Sequence, residues 1–109
     1  MKILSSDIIR GHIDAIVLSS LVHSDKYGVE IRSVIAQKTN GFYVPNEQSL
    51  YSAFHRLERD GCIRGKWGDG NEAKRKYYSI TDDGLRYLNS LLAEWENSKA
   101  LIDMLVRKV

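Results

Sequence analysis

Residues 50–61, Leu50-Tyr51-Ser52-Ala53-Phe54-His55-Arg56-Leu57-Glu58-Arg59-Asp60-Gly61, decide how this chain folds. At about 100° per residue, Ala53, Phe54 and Leu57 fall within about 60° of Leu50 and form one apolar face. Gln48, Ser52, His55 and Arg59 gather on the opposite side, with Ser49 and Arg56 beside them. That outward face carries amide, hydroxyl, imidazole and guanidinium groups and no carboxylate. Glu47 and Glu58 sit on its flanks. The spacing predicts an amphipathic helix capped by Asn46, favoured by Glu47 in its first turn and stopped by Gly61. Tyr51 lies to the side, placed either to pack at the domain edge or to hydrogen-bond a phosphate.

Downstream, Ile63 to Trp67 reads as a short strand and Gly68-Asp69-Gly70-Asn71 as its turn. The basic run Lys74-Arg75-Lys76 leads into a second strand at Tyr77 to Ile80, and a new helix starts at Thr81 or Asp82. In the second strand Lys74 and Lys76 share a face with Tyr78 and Ile80, and Arg75 shares one with Tyr77. Helix, hairpin with a cationic tip, then helix is the layout of a winged helix-turn-helix, which brings a helix to the DNA major groove and a wing to the backbone beside it.

Upstream, Ile8 to Val22 has apolar residues at 9, 13, 16, 17 and 21, the spacing of a substantially buried first helix with Asp7 as its N-cap. His23-Ser24-Asp25-Lys26 breaks that pattern. Tyr27-Gly28 opens a second helix, with Val29, Ile31, Val34 and Ile35 inside and Asn40-Gly41 as its stop. Phe42 to Pro45 is extended, since Pro45 disfavours helix at Val44.

The last helix carries Leu88, Leu91, Trp95, Ile102, Leu105 and Val109 in steps of three and four, with Ser98 completing the series. That is a coiled-coil seam, broadened by Leu85, Leu92, Leu101 and Val106. A chain of 109 residues can bury only a modest core, so such a helix needs a partner to cover it. The expected fold is mainly α with a small β-hairpin: a winged helix-turn-helix domain at residues 1–80 and a C-terminal dimerisation helix at 81–109. Leu88, Leu91, Leu92, Trp95 and Ile102 form the expected dimer and ligand surface. Trp95 is either an ordinary dimer-core residue or a stacking plate for flat aromatic molecules in a cavity between two copies.

Charge fits an anionic partner locally rather than globally. The formal net charge is +2, and residues 46–80 hold seven Lys/Arg against five Asp/Glu. Arg matches guanine edges, Gln matches adenine, and Ser reaches bases or phosphates, so Gln48, Ser49, Tyr51, Ser52, His55, Arg56 and Arg59 are the expected DNA contacts of the reading helix. Lys66, Lys74, Arg75 and Lys76, with Arg64, are the expected phosphate contacts of the wing.

Other function classes find no support. His12, His23 and His55 are scattered, without metal-ligand spacing. No Ser/His/Asp or Cys/His set, P-loop or GxGxxG is present, and no cofactor is expected. The single Cys62 excludes an intrachain disulfide and reads as a buried structural thiol, the alternative being a redox sensor that would need exposure and a lowered pKa. No signal peptide and no membrane-spanning window is seen, so a cytoplasmic protein is expected.

Three segments together resemble the PadR family of bacterial transcriptional regulators: Tyr27-Gly28-x-Glu30-Ile31; Leu50-Tyr51-x-x-Phe54-x-Arg56-Leu57-Glu58-x-Asp60-Gly61-x-Ile63; and Arg75-Lys76-Tyr77-Tyr78-Ser79-Ile80-Thr81-x-x-Gly84. The short C-terminal section, Asn46-Glu47-x-x-Leu50-Tyr51 and Trp95 in Leu91-Leu92-Ala93-Glu94-Trp95 are similar to its smaller, LmrR-like subfamily of multidrug-binding repressors. The resemblance implies a homodimeric repressor on an inverted-repeat DNA operator. It also implies planar aromatic compounds as ligands, sandwiched by Trp95 and its symmetry mate. Cys62 stands where the family usually has a larger aliphatic residue. The competing expectation is a ligand-binding or protein-interaction dimer without specific operator binding.

Overall fold

The computed structural model describes residues 4–107, so Val109 of the expected seam lies outside the described residues. The helices are α1 (Ser6–Ile9), α2 (Ile13–Ser20), α3 (Gly28–Lys38), α4 (Glu47–Arg59) and α5 (Asp82–Val106). The strands are β1 (Lys26–Tyr27), β2 (Ile63–Trp67) and β3 (Lys76–Ile80). This is the expected winged helix-turn-helix class, mainly helical with a small antiparallel sheet.

The reading helix forms as its sequence dictates. Asn46 accepts the Ser49 N–H at 3.2 Å at the N-terminus. At the other end Gly61 adopts a φ of +77°, and the Gly61 and Cys62 N–H groups donate to the Glu58 and Leu57 carbonyls. This double closure suits a residue without Cβ. Leu50, Ala53, Phe54 and Leu57 are buried together with Val17, Leu18, Ile31, Ile63 and Tyr78. Each large side chain so removed from water contributes about 1.5–3 kcal/mol before entropy is counted.

Three expectations are corrected. The first helix is two: Ser5, not Asp7, caps α1, and the chain breaks at Gly11-His12, where His12 has φ −120° and ψ −2°. Glycine is a poor helix interior residue, and Ile8 before the break is exposed. Val29 is 60% exposed, because it lies about 200° round α3 from Ile31, while Ile31 and Ile35 share the inner face. The hairpin gains a third strand, in the order β1-β3-β2, with Lys26 opposite Tyr78 and Tyr27 opposite Tyr77. Two residues carry no periodicity that a sequence pattern can register.

The core runs across the expected boundary at residue 80. Gly84 and Leu88 of α5 are buried. A Cβ at Gly84 would run into the Cys62 carbonyl and come within 2.8 Å of Ile80 Cγ1, so glycine lets α5 lie directly on the end of β2. Leu88 is thereby moved out of the seam and into the protomer's own core. Beyond Leu91 the helix leaves the body, and its apolar residues are exposed, from 41% at Trp95 to 83% at Leu105. Among the described residues no helix is long and apolar enough to cross a membrane.

Cys62 is buried, and burial pushes its thiol up, with Asp60, Asp83 and Asp14 adding to the shift. Burial and a raised thiol fit the structural reading, since a redox sensor would need exposure and a lowered pKa.

Candidate nucleic-acid interface

The outward side of α4 is set by its buried side. With Leu50, Ala53, Phe54 and Leu57 inside, Gln48, Ser49, Ser52, His55 and Arg59 are all exposed. Arg32 of α3 donates from Nε to the Pro45 carbonyl at 2.8 Å, fixing the chain just before α4. Tyr51 is partly exposed, edge-on to Phe54 with centroids 5.1 Å apart. Its hydroxyl lies over Gly28, where a Cβ would come within 3.0 Å of the phenol Cζ. Tyr51 therefore packs α4 onto the start of α3. The N-terminal half of the reading face borders a depression of about 640 Å³ whose other wall includes α1, with Ser6, Ile9 and Arg10.

Arg56 is engaged elsewhere. Its Nη1 donates to both carboxylate oxygens of Asp14, at 2.7 and 2.8 Å, and Tyr87 donates its hydroxyl to Asp14 Oδ2 at 3.0 Å. Asp14 is on α2 and Tyr87 on α5, so one carboxylate joins three helices. The hydrogen bond to Asp14 holds the Arg56 guanidinium above its ordinary pKa. Burial, followed by the bond to Asp14, pushes the Tyr87 phenol up. The sequence marked Arg56 as a base contact; the fold makes it a brace of the reading helix. Neither partner carried a signal, since Asp14 and Tyr87 stand 42 and 73 residues from the groups they bind.

The four wing cations also separate. Lys66 and Lys74 are exposed and enter no ion pair among the described residues. Arg75 is exposed, pairs with Glu72 at 3.3 Å and stacks 4.6 Å over the Tyr27 ring. Lys76 is half-buried and bonds Glu58 of α4 at 2.9 Å. Trp67, at the far end of β2, is 60% exposed among these cations, and no local pattern singles it out.

A second, apolar groove of about 580 Å³ lies between α1–α2 and α5. Leu91, Leu92, Trp95 and Ile102 line it, with Ser98 leaving room beside the indole. His12, one of the three scattered histidines, meets Trp95 edge-on with centroids 4.7 Å apart. Leu88 is not in this lining.

Residues 17–90 match the family described as the transcriptional regulator PadR-like family. An uncharacterized protein of Lysinibacillus sphaericus is 44% identical over 100 residues, covering 91% of this chain and 92% of that one. The solved structure of a transcriptional regulator from Clostridium thermocellum is also 44% identical, with a TM-score of 0.89 over 96% of this chain and all of the other. A PadR family regulator from Eggerthella lenta superposes with a TM-score of 0.85 at 29% identity, over 94% of this chain and 88% of its own. The matched profile, the winged fold and the exposed reading face converge: this chain belongs to the PadR-like family of transcriptional regulators, which are non-enzymatic.

Proposed function

We propose that the chain acts as a homodimeric, DNA-binding repressor of the smaller, LmrR-like kind. The observation that carries the DNA reading is the exposed face of α4, on which Arg59 meets only the solvent-exposed Asp60 at 3.2 Å, beside two wing lysines that enter no ion pair among the described residues. Gln48, Ser49, Ser52, His55 and Arg59 read base edges, and Lys66, Lys74 and Arg75 hold phosphate. Two copies joined along the exposed part of α5 present two such heads to an inverted repeat. In a mobility shift with the DNA upstream of the chain's own gene, Arg59→Ala is expected to relax sequence preference, by about 1–3 kcal/mol if its contact is bidentate. Lys74→Ala is expected to weaken all sequences alike and flatten the salt dependence. Identical behaviour of the two variants would refute this division of roles.

The second copy also closes the open side of the Trp95 groove. A planar aromatic compound bound between the two indoles releases DNA by favouring a dimer geometry in which the heads no longer match the operator, which requires different affinity in the two geometries. A planar cationic dye is expected to quench Trp95 fluorescence, with Trp95→Leu abolishing the response. An unchanged spectrum on titrating the intact protein would remove the ligand from the proposal while leaving DNA binding in place. Dye binding without any mobility shift would instead favour a ligand-binding dimer that lacks operator recognition.

A further inference from the structure

Lys76 belongs to the basic run of the wing, yet its side chain does not point into solvent with Lys74. It leaves β3 opposite Trp67, crosses β2 over Gly65 and ends on Glu58 Oε1 of α4 at 2.9 Å. A Cβ at Gly65 would fall on the Lys76 stem and within 2.8 Å of Glu58 Oε2, so the strap lies in the space that glycine leaves open. On the way the ammonium passes 5.6 Å from the centroid of the Tyr78 ring and 5.9 Å from that of Trp67. Both partners are sheltered, with side chains 28% and 32% exposed. Among the described residues this is the one side-chain hydrogen bond between the reading helix and the β2–β3 hairpin.

We propose that Lys76 is a positioning residue for DNA binding: it straps the wing to the reading helix through Glu58 and does not itself neutralise a phosphate. The inference rests on the DNA-binding reading above. A winged protein engages a groove and the adjoining backbone at once, so the angle between helix and wing must be held before the duplex arrives. A hinge left loose would lose affinity to ordering. Lys76 uses its charge inside the protein for that purpose, leaving phosphate to Lys66, Lys74 and Arg75.

The test measures affinity of the full chain for a fluorescent 30-base-pair mixed-sequence duplex across a salt series. Removing a phosphate contact lowers the salt slope by about one, which is expected for Lys74→Ala and Lys66→Ala. Lys76→Met is expected to weaken binding roughly threefold to tenfold at every salt concentration with the slope unchanged. Glu58→Gln is expected to produce the same loss, and the double variant no more than either single one. Gly65→Ala, which obstructs the strap but keeps both charges, is expected to follow. Affinities refer to the folded fraction, so a purely structural Lys76 would lower the melting temperature and leave them untouched.

Two results overturn the inference: a slope flattened by about one in Lys76→Met, or tighter binding by Glu58→Gln, as freeing a phosphate-binding lysine would give. A lowered melting temperature of Lys76→Met with its affinity unchanged overturns it as well. Absence of duplex binding by the unmodified chain is a different failure, since it removes the DNA-binding reading and this inference together.

Discussion

Asp14→Ala is expected to cost about 2–3 kcal/mol of stability, the value of hydrogen bonds to a charged group whose partners are left behind. Asp14 accepts two bonds from Arg56 and one from Tyr87, and its side chain is only 16% exposed. Arg56 is 40% exposed and can turn to water, so the loss falls short of the roughly 3–5 kcal/mol of a fully buried broken pair. For a domain of this size the melting temperature should drop by about 10–20 °C. Arg56→Ala should fall in the same range, and the double variant should lose less than the sum, because both remove one interaction. Tyr87→Phe should cost about 1 kcal/mol. The Tyr87 phenol is raised in the folded state, so its contribution is complete below the ordinary tyrosine pKa of about 10 and is lost as pH rises through the higher folded value. The brace is thus expected to loosen only in the alkaline range, and Tyr87→Phe to diminish that loss. Chemical denaturation of the three variants checks this. An Asp14→Ala protein within about 0.5 kcal/mol of the parent would show that the three-helix junction contributes nothing.

Ile102→Asp combined with Leu105→Asp is expected to convert the proposed dimer to a monomer and to reduce the proposed operator affinity by about a hundredfold or more. Both residues lie on the part of α5 that leaves the body, and they are 54% and 83% exposed. They therefore contribute little to the protomer's own core, and an aspartate there meets water in the monomer. In a two-fold assembly the same carboxylates would be driven into an apolar seam against their own copies. Two heads on one body gain an effective concentration worth about 10²–10⁴ in affinity, which separation abolishes. Sedimentation should give a single-chain mass, and any dependence of the melting temperature on protein concentration should vanish. A variant that stays dimeric would place the interface elsewhere than α5 and would end the proposed arrangement of the heads.

Trp95 shows how far a local pattern reaches. Its place in a three-four series marks it as part of an apolar stripe, and the groove along α5 agrees. The same series also included Leu88, which the body of the protein absorbs at 5% exposure. Periodicity identifies a helix face but not where a neighbouring element ends, and α2 covers only the first half of that face. Val29 shows the same limit from the other side: it is apolar, yet its angle of about 200° from Ile31 turns it to solvent. The wing cations make the same point with charge. Lys66, Lys74, Arg75 and Lys76 look equivalent in a string of letters, yet their partners differ completely.

What the chain's own letters determined was everything held by neighbours. The Asn46 cap, the Gly61 stop and the Thr81 start rest on bonds within five residues and the apolar face of α4 on angles within two helical turns, so a short pattern records them, whereas the strand from Ile63 to Trp67 shows its type locally but is held by partners nine to seventeen residues away. Tertiary structure alone decided which polar groups face solvent and which are engaged inside the protein. The partners of Arg56 and Lys76 stand 42 and 18 residues away, brought within 3 Å by packing of helices and sheet. A charge shows its type in the sequence, but whether it faces solvent or a carboxylate depends on distances that only the folded chain creates.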